Sequence, residues 1–220
     1  MGGVDIGAAM LLVLMGLPMT LLVTALAYAV GLVLGIPLML GLRSRIMPLR
    51  LALRFVVDIV RGVPPIVWLF LIYFGVQVGT IRFDSLSAAV TGLGLISSAY
   101  LAEIYRGAFA TVARGQGEAA AALGLGRVTT FVRVLAPQAF RTALPSMATF
   151  LLSLLKDSSI ASTIGVADMV FQATMFARQN PAVAGIVPFF LAAAVYLVVS
   201  IPIAVTARRL DTRLRKEAVA

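Results

Sequence analysis

Apolar residues fall along this chain in long runs, without the alternation of a half-buried strand or the three-to-four-residue rhythm of a water-facing helix. The longest, Ile6 to Leu42, covers 37 residues without a charged side chain. A helix crosses the hydrocarbon of a bilayer with about 20 mostly apolar residues, because there its backbone groups find partners only in one another. The run is therefore longer than one span. With Pro18 and Pro37 inside it, it is predicted to split into a short interfacial helix and a first span over 19–42. Arg43, Arg45, Arg50 and Arg54 follow, the last of them set among Leu51, Leu53, Phe55 and Val56, as in an amphipathic segment lying at the head groups, until Pro64 and Pro65 break it. A second span is expected over 62–79, with Trp68 and Tyr73 near an interface, then a polar link and a third span over 86–105. Residues 106–141 change character and read as a loop with short helices. A fourth span is expected over 143–160. After a mixed stretch and the turn at Asn180-Pro181, a fifth runs over 183–207 into the basic tail Arg208, Arg209, Arg213, Arg215 and Lys216. No repeat of fixed period interrupts this order, so residues 1–220 are predicted to be one all-α integral membrane domain of about five transmembrane helices.

The cationic residues orient it. Five lie between Arg43 and Arg61, five between Arg106 and Arg141 and five in the tail, whereas the intervening links hold only Arg82 and Arg178. An excess of Lys and Arg marks cytoplasmic loops, so the C-terminus is placed in the cytoplasm and, across five spans, the N-terminus outside. At 61% hydrophobic residues, the formal charge of +9 reads as orienting charge with contact to membrane lipid, and not as a nucleic-acid surface. Met1 to Met10 carries Asp5 and no Lys or Arg, unlike the basic start of a cleaved signal peptide, so the first apolar segment is expected to be retained.

Chemistry is sparse. The chain has no Cys and no His, which removes thiol nucleophiles, disulfides, the usual zinc ligands and the commonest general base. No catalytic residue and no metal site is predicted. Lys156 and Lys216 are the only lysines and neither follows a Gly, so no phosphate-binding Gly-Lys loop exists and any ATP is hydrolysed elsewhere. A membrane-embedded enzyme would need a nucleophile and base from Ser, Lys and carboxylates alone. A secondary transporter would be expected to show inverted repeats and paired broken helices, and neither is visible.

Within the 106–141 loop, Ala119 to Leu123 is a strong helix-forming turn, and Gly124 and Gly126 permit a reversal into a second short helix from about Val128 to Leu135. Small side chains on such a protrusion make a knob suited to a cleft. Glu118-Ala119-Ala120, Gly124 six positions after the Glu, then Val134 and Pro137, resemble the EAA loop of ABC importer permeases, with Val134 for the usual Ile and Ala136 for the usual Leu. Further stretches are similar to the permeases for polar amino acids: Arg61-Gly62-Val63-Pro64, Ala99-Tyr100-Leu101-Ala102-Glu103-Ile104-Tyr105-Arg106-Gly107, Gly115-Gln116-Gly117-Glu118-Ala119, Pro137-Gln138-Ala139-Phe140-Arg141 and Lys156-Asp157-Ser158-Ser159. The resemblance spans about residues 15–205. It implies a multi-pass permease of the bacterial inner membrane, working with a second permease of the same or a different chain, ATPase subunits that bind ATP and Mg, and an extracytoplasmic solute-binding protein. It also implies that Glu118, Ala119, Ala120, Gly124 and Pro137 belong to the ATPase coupling surface, spread over Ala113 to Arg133 and its continuation, and that the cargo is a polar amino acid. A permease for another small solute, such as an opine or cystine, is the alternative.

Ionisable groups at membrane depth are costly unless paired or hydrated, so each is a candidate for the pathway. Glu103 and Arg106, three residues apart, are placed one helical turn from each other, either as an ion pair near the inner interface or as a border of the pathway. Lys156 and Asp157 lie 19 and 20 residues beyond Pro137, about 28–30 Å along a straight helix, in the outer half. With Ser158, Ser159 and Glu103 they could meet the carboxylate and ammonium of a zwitterion, or bond helix to helix. Asp58 and Arg61 share the same spacing and are expected to pair structurally.

Overall fold

The computed structural model describes residues 5–78, 81–181 and 185–219. Helix α1, Ile6–Leu42, is one continuous helix, and Pro18 and Pro37 lie inside it. The expected division before residue 19 does not occur. Apolar surroundings on all sides leave freed backbone groups nowhere else to bond, so a proline is carried within the helix instead of ending it. Asp5 caps it, its Oδ1 accepting from Ala8 N–H at 2.9 Å.

The inward face of α1 is rich in small residues, with the larger Val13, Val23, Met39 and Leu42 set among them. Gly16, Thr20, Thr24, Ala27, Gly31 and Gly35 are buried, while Leu11, Met15, Leu22, Leu26 and Val33 face outward. Both faces are apolar enough for lipid, and small residues let backbones approach. Across from this stripe runs α4, Ser85–Thr111. A methyl group at Gly31 would lie 2.5 Å from Ser97 Cβ, and one at Gly94 2.9 Å from Val30.

Helix α2, Met47–Gly62, and α3, Pro65–Phe70, which continues as a π turn through Leu71–Gly75, form a pair bent by 101° at Val63-Pro64. Trp68 Nε1 ties the corner by donating to Val60 O at 3.2 Å. The expected second span 62–79 therefore begins at a right-angled corner: the residue before a proline is driven to extended backbone, and Val63 has ψ 133°. Two-residue strands β1, Gln77–Val78, and β2, Ile81–Arg82, pair antiparallel in the link before α4. No ion pair joins Asp58 to Arg61 among the described residues. Arg61 lies instead 4.9 Å over the Tyr100 ring, which holds the guanidinium against an aromatic face and away from the carboxylate.

Beyond α4 come α5, Arg114–Ala122, and α6, Arg127–Thr130. A π turn over Phe131–Leu135 joins α6 directly to α7, Ala136–Asp157, which tightens into a 3₁₀ turn over Ser158–Ile164. The second loop helix expected near Val128 to Leu135 is thus the start of one unbroken helical run from Arg127 to Ile164. After Gly165, at φ +91°, α8 spans Met169–Gln179 and α9 Val187–Val219. Residue 79, residues 183 and 184, and the side chains of Arg213, Arg215 and Lys216 lie outside the described set.

Three helices, α1, α4 and α9, are each long and apolar enough to cross a membrane, and the number reaches five if each of the two bent pairs, α2 with α3 and α6–α7 with α8, counts as one span. The fold is all-α and membrane-spanning, in agreement with the length of the apolar runs.

Candidate functional site

The knob is built as its glycine requires. Helix α5 ends at Ala122 with Leu123 as its C-cap, and Gly124 takes φ +71°. Its N–H donates to Ala121 O at 3.0 Å and Leu125 N–H reaches back to Ala120 O at 3.0 Å. This paired closure satisfies the last carbonyls and needs a left-handed residue where a side chain costs energy. Gly126 keeps negative φ and begins α6, so the reversal belongs to Gly124 alone. Glu118 and Ala119 are exposed and Ala120 is buried. Leu123 is 79% and Val128 77% exposed, with Val132 beside them, so an apolar tip projects where a lone chain would bury it.

Two contacts tie the knob to the spans. Gln138 Nε2 donates to Gln116 Oε1 at 3.0 Å and to Val134 O at 2.9 Å, joining α5 to the first turn of α7 just after Pro137. Phe131 stacks on Phe109 of α4 at 5.1 Å, and Arg43 at the end of α1 lies 4.9 Å over the same Phe109 ring. The tip is therefore connected to α1, α4 and α7.

The Glu103–Arg106 pair forms as the spacing predicts. Arg106 Nε donates to Glu103 Oε1 and Oε2 at 3.0 Å, and its Nη2 to Oε2 at 2.7 Å. Above it, an aromatic column runs from Arg61 over Tyr100, Tyr100 stacked on Phe150 at 5.2 Å, and Phe150 beside Tyr28, whose hydroxyl donates to Met147 O at 3.2 Å.

A line of polar side chains on α7 escaped the sequence reading. Thr142, Ser146, Thr149, Ser153 and Lys156 recur at steps of four and three residues and all are exposed. Such spacing puts them on one helix face. The outer surfaces of α1 and α9 carry Leu, Val, Ile and Phe in the same position, so this face of α7 is not shaped for hydrocarbon. Three of its hydroxyls, from Ser146, Thr149 and Ser153, line a cleft of about 440 Å³ with Tyr100, Phe150, Arg208 and Asp211. The steps were legible in the sequence. A search for ionisable groups alone passes over them.

At the far end of α7, Lys156 is exposed, Asp157 half-buried, Ser158 buried and Ser159 half-buried. Both serine hydroxyls donate back to helix carbonyls, Ser158 to Leu155 O at 2.8 Å and Ser159 to Lys156 O at 2.7 Å. Lys156 and Ser159 line a second pocket of about 460 Å³ with Phe189, Tyr196 and Ser200. Glu103 lines neither pocket. Asp168, between the 3₁₀ turn and α8, is a buried carboxylate that the sequence reading also missed. Among the described residues no cluster of His, Cys, Asp and Glu could hold a metal ion.

Residues 30–216 match the family described as binding-protein-dependent transport system inner membrane component. The chain is 38% identical over 168 residues to the probable amino-acid ABC transporter permease protein YckA of Bacillus subtilis, covering 76% of this chain and 74% of that one. It is 34% identical over 200 residues to the octopine transport system permease protein OccM of Rhizobium radiobacter, covering 87% and 81%. Among solved structures, it superimposes on a chain of an amino acid ABC transporter crystallised with histidines with a TM-score of 0.83 at 33% identity, covering 92% of this chain and 94% of that one.

Proposed function

We propose, for a chain that belongs to the binding-protein-dependent transport system inner membrane components, that the solute it passes is a polar amino acid and that the polar line of α7 borders the path. The chain is a permease subunit of an ABC importer, a member of a transport family. The single observation that carries the proposal is that line: hydroxyls of Ser146, Thr149 and Ser153 stand exposed on a spanning helix beside a cleft, where a purely lipid-facing surface would be apolar. A second permease, the same chain or another, covers this face and closes the path between the two. Glu103 and Arg106 border its inner end, and Lys156, Asp157, Ser158 and Ser159 its outer end.

In this reading the C-terminus is cytoplasmic, the N-terminus is outside, and separate ATPase subunits, which bind ATP and Mg, dock on Ala113 to Arg133. The exposed apolar tip at Leu123 and Val128 supports that docking, and Glu118, Ala119, Ala120, Gly124 and Pro137 shape it. An extracytoplasmic binding protein delivers the solute. The likeness to an octopine permease favours, as a second reading, an opine of the same zwitterionic character.

The test is uptake into proteoliposomes by this chain with its ATPase and binding protein, supplied with a panel of labelled amino acids and opines. ATP-dependent uptake of one class, lost in a folded Glu118→Lys variant, is expected. Uptake that persists without ATP refutes the proposal in favour of a secondary transporter.

A further inference from the structure

Two cavities adjoin where the spans meet the knob, and they differ in character. One, of about 240 Å³, is walled by Ile36 and Met39 of α1, Tyr105 and Phe109 of α4, and Ala136 and Phe140 of α7. The other, of about 380 Å³, is walled by Arg43, Phe109, Val112, Arg114 and Leu135. Phe109 borders both, with Arg43 4.9 Å over its ring and Phe131 stacked on it at 5.1 Å. Arg43 and Arg114 are exposed, and among the described residues neither has an ion-pair partner. No carboxylate among the described residues lines either cavity.

Three helices set the two cavities in the same order. On α1, Ile36 lines the apolar cavity and Arg43, seven residues on, the cationic one. On α4, Tyr105 and Val112 stand in the same relation. Seven residues of helix cover about 10 Å. The α7 run enters from the same end in reverse, with Leu135 at the cationic cavity and Ala136 and Phe140 at the apolar one. Arg43 follows directly on the charge-free run of α1, so the cationic cavity lies at the head groups and the apolar one about two helical turns deeper, in hydrocarbon.

The occupant follows from depth and charge together. Ile36 and Phe140 are 49% and 52% exposed, so the apolar cavity opens on the outside of the bundle, where the bilayer offers hydrocarbon. Water would find no partners on walls of Ile, Met, Ala and Phe. A free anion would satisfy the arginines and leave this cavity unfilled, and a zwitterionic lipid would fill it and leave two positive charges unmatched. A lipid with a net negative head group does both, since guanidinium groups pair well with phosphate. We propose that the cleft around Phe109 binds one anionic phospholipid, with its phosphate at Arg43 and Arg114 and an acyl chain in the cavity between Met39 and Phe140. Neither cavity depends on the ATPase docking proposed above, although α5, which begins at Arg114, borders both the lipid and that docking surface.

Native mass spectrometry tests the site on the full chain, with the subunits it retains, released from nanodiscs of phosphatidylglycerol and phosphatidylcholine that carry the same acyl chains. The ratio of the two lipids retained then reads the head group alone. Two arginines predict a preference for phosphatidylglycerol of roughly 30-fold, falling to about threefold or less in Arg43→Gln with Arg114→Gln. Ala136→Leu fills the apolar cavity from a half-buried position, and by displacing two or so methylene groups of the chain it should lower retention of both lipids about tenfold. Glycerol phosphate added to the parent chain should leave the lipid in place. A parent preference below about threefold, an undiminished preference in the arginine variant, or displacement by glycerol phosphate, which would mark a site for free anions, each overturns the proposal. Lipid held by the isolated chain and absent from its assembly with a second permease gives the face to that subunit and overturns it as well.

Discussion

Replacing Gly31 by alanine adds one methyl group, and the structure says where it goes. The new Cβ would stand 2.5 Å from Ser97 Cβ, 2.9 Å from the Ser97 carbonyl carbon and 3.0 Å from Leu101 Cδ1. Carbon atoms pack best at about 3.5–4.0 Å, so α1 and α4 must part by roughly 1 Å. Because one of the three obstacles is backbone, rotamer change cannot relieve it. A gap of that size forfeits about a quarter to a half of the dispersion energy along the seam, and overpacking of this kind costs about 1–3 kcal/mol. Gly31→Ala is placed at the upper end, since the flanking Gly35 is also tight, at 3.2 Å. The assay is reversible unfolding in mixed micelles, in a double-mutant cycle with Ser97→Gly and Ser97→Ala. Ser97→Gly removes the nearest atom and should recover about half of the loss. Ser97→Ala keeps Cβ and should recover none. If Gly31→Ala lies within about 0.5 kcal/mol of the parent, the close approach of these helices is refuted.

Gly124→Val forces a branched side chain into φ +71°, which costs about 1–2 kcal/mol locally. Retained expression with loss of ATPase co-purification is expected, and undiminished co-purification counts against the reversal as the docking element. Ser146→Leu with Thr149→Leu should leave folding unchanged, by circular dichroism and unfolding midpoint, and lower uptake at least tenfold, whereas Leu22→Ile on the outer face of α1 should change neither. Asp84 caps α4, and hydrogen bonding from Ser87 holds its carboxyl below the ordinary carboxylate range. Its contribution is therefore complete above the ordinary range and fades as pH falls through the lowered folded value. Protection factors of the amides in the first turn of α4, taken relative to the intrinsic exchange rate at each pH, should fall there in the parent and stay constant with pH in Asp84→Asn.

Where sequence sufficed, a local rule with one solution was at work. Gly124 was legible because a helix reversing within two residues needs a left-handed position, and Glu103–Arg106 because a three-residue step on a helix fixes the neighbours. The corner at Val63-Pro64 was marked by its prolines, although neither its 101° angle nor the Trp68 bond to Val60 O across it was. The rest turned on partners remote in sequence. Asp58 lost Arg61 to Tyr100, which lies 39 residues further along the chain. Pro18 read as a break, but the surroundings of α1 allow no alternative bonding. Asp168 is buried, and no spacing along the chain announces it.

The unbroken run from Arg127 to Ile164 has a mechanical consequence. Its 38 residues extend about 57 Å at 1.5 Å per residue, nearly twice the hydrocarbon thickness of about 30 Å. A rod of that length acts as a lever: a tilt of about 10° around its middle swings each tip by about 5 Å, close to one helical turn. A modest push on its Arg127 tip is then felt at Ser158–Ile164 as a displacement as large as a small solute, to the extent that the π turn over Phe131–Leu135 and Pro145 within α7 do not flex.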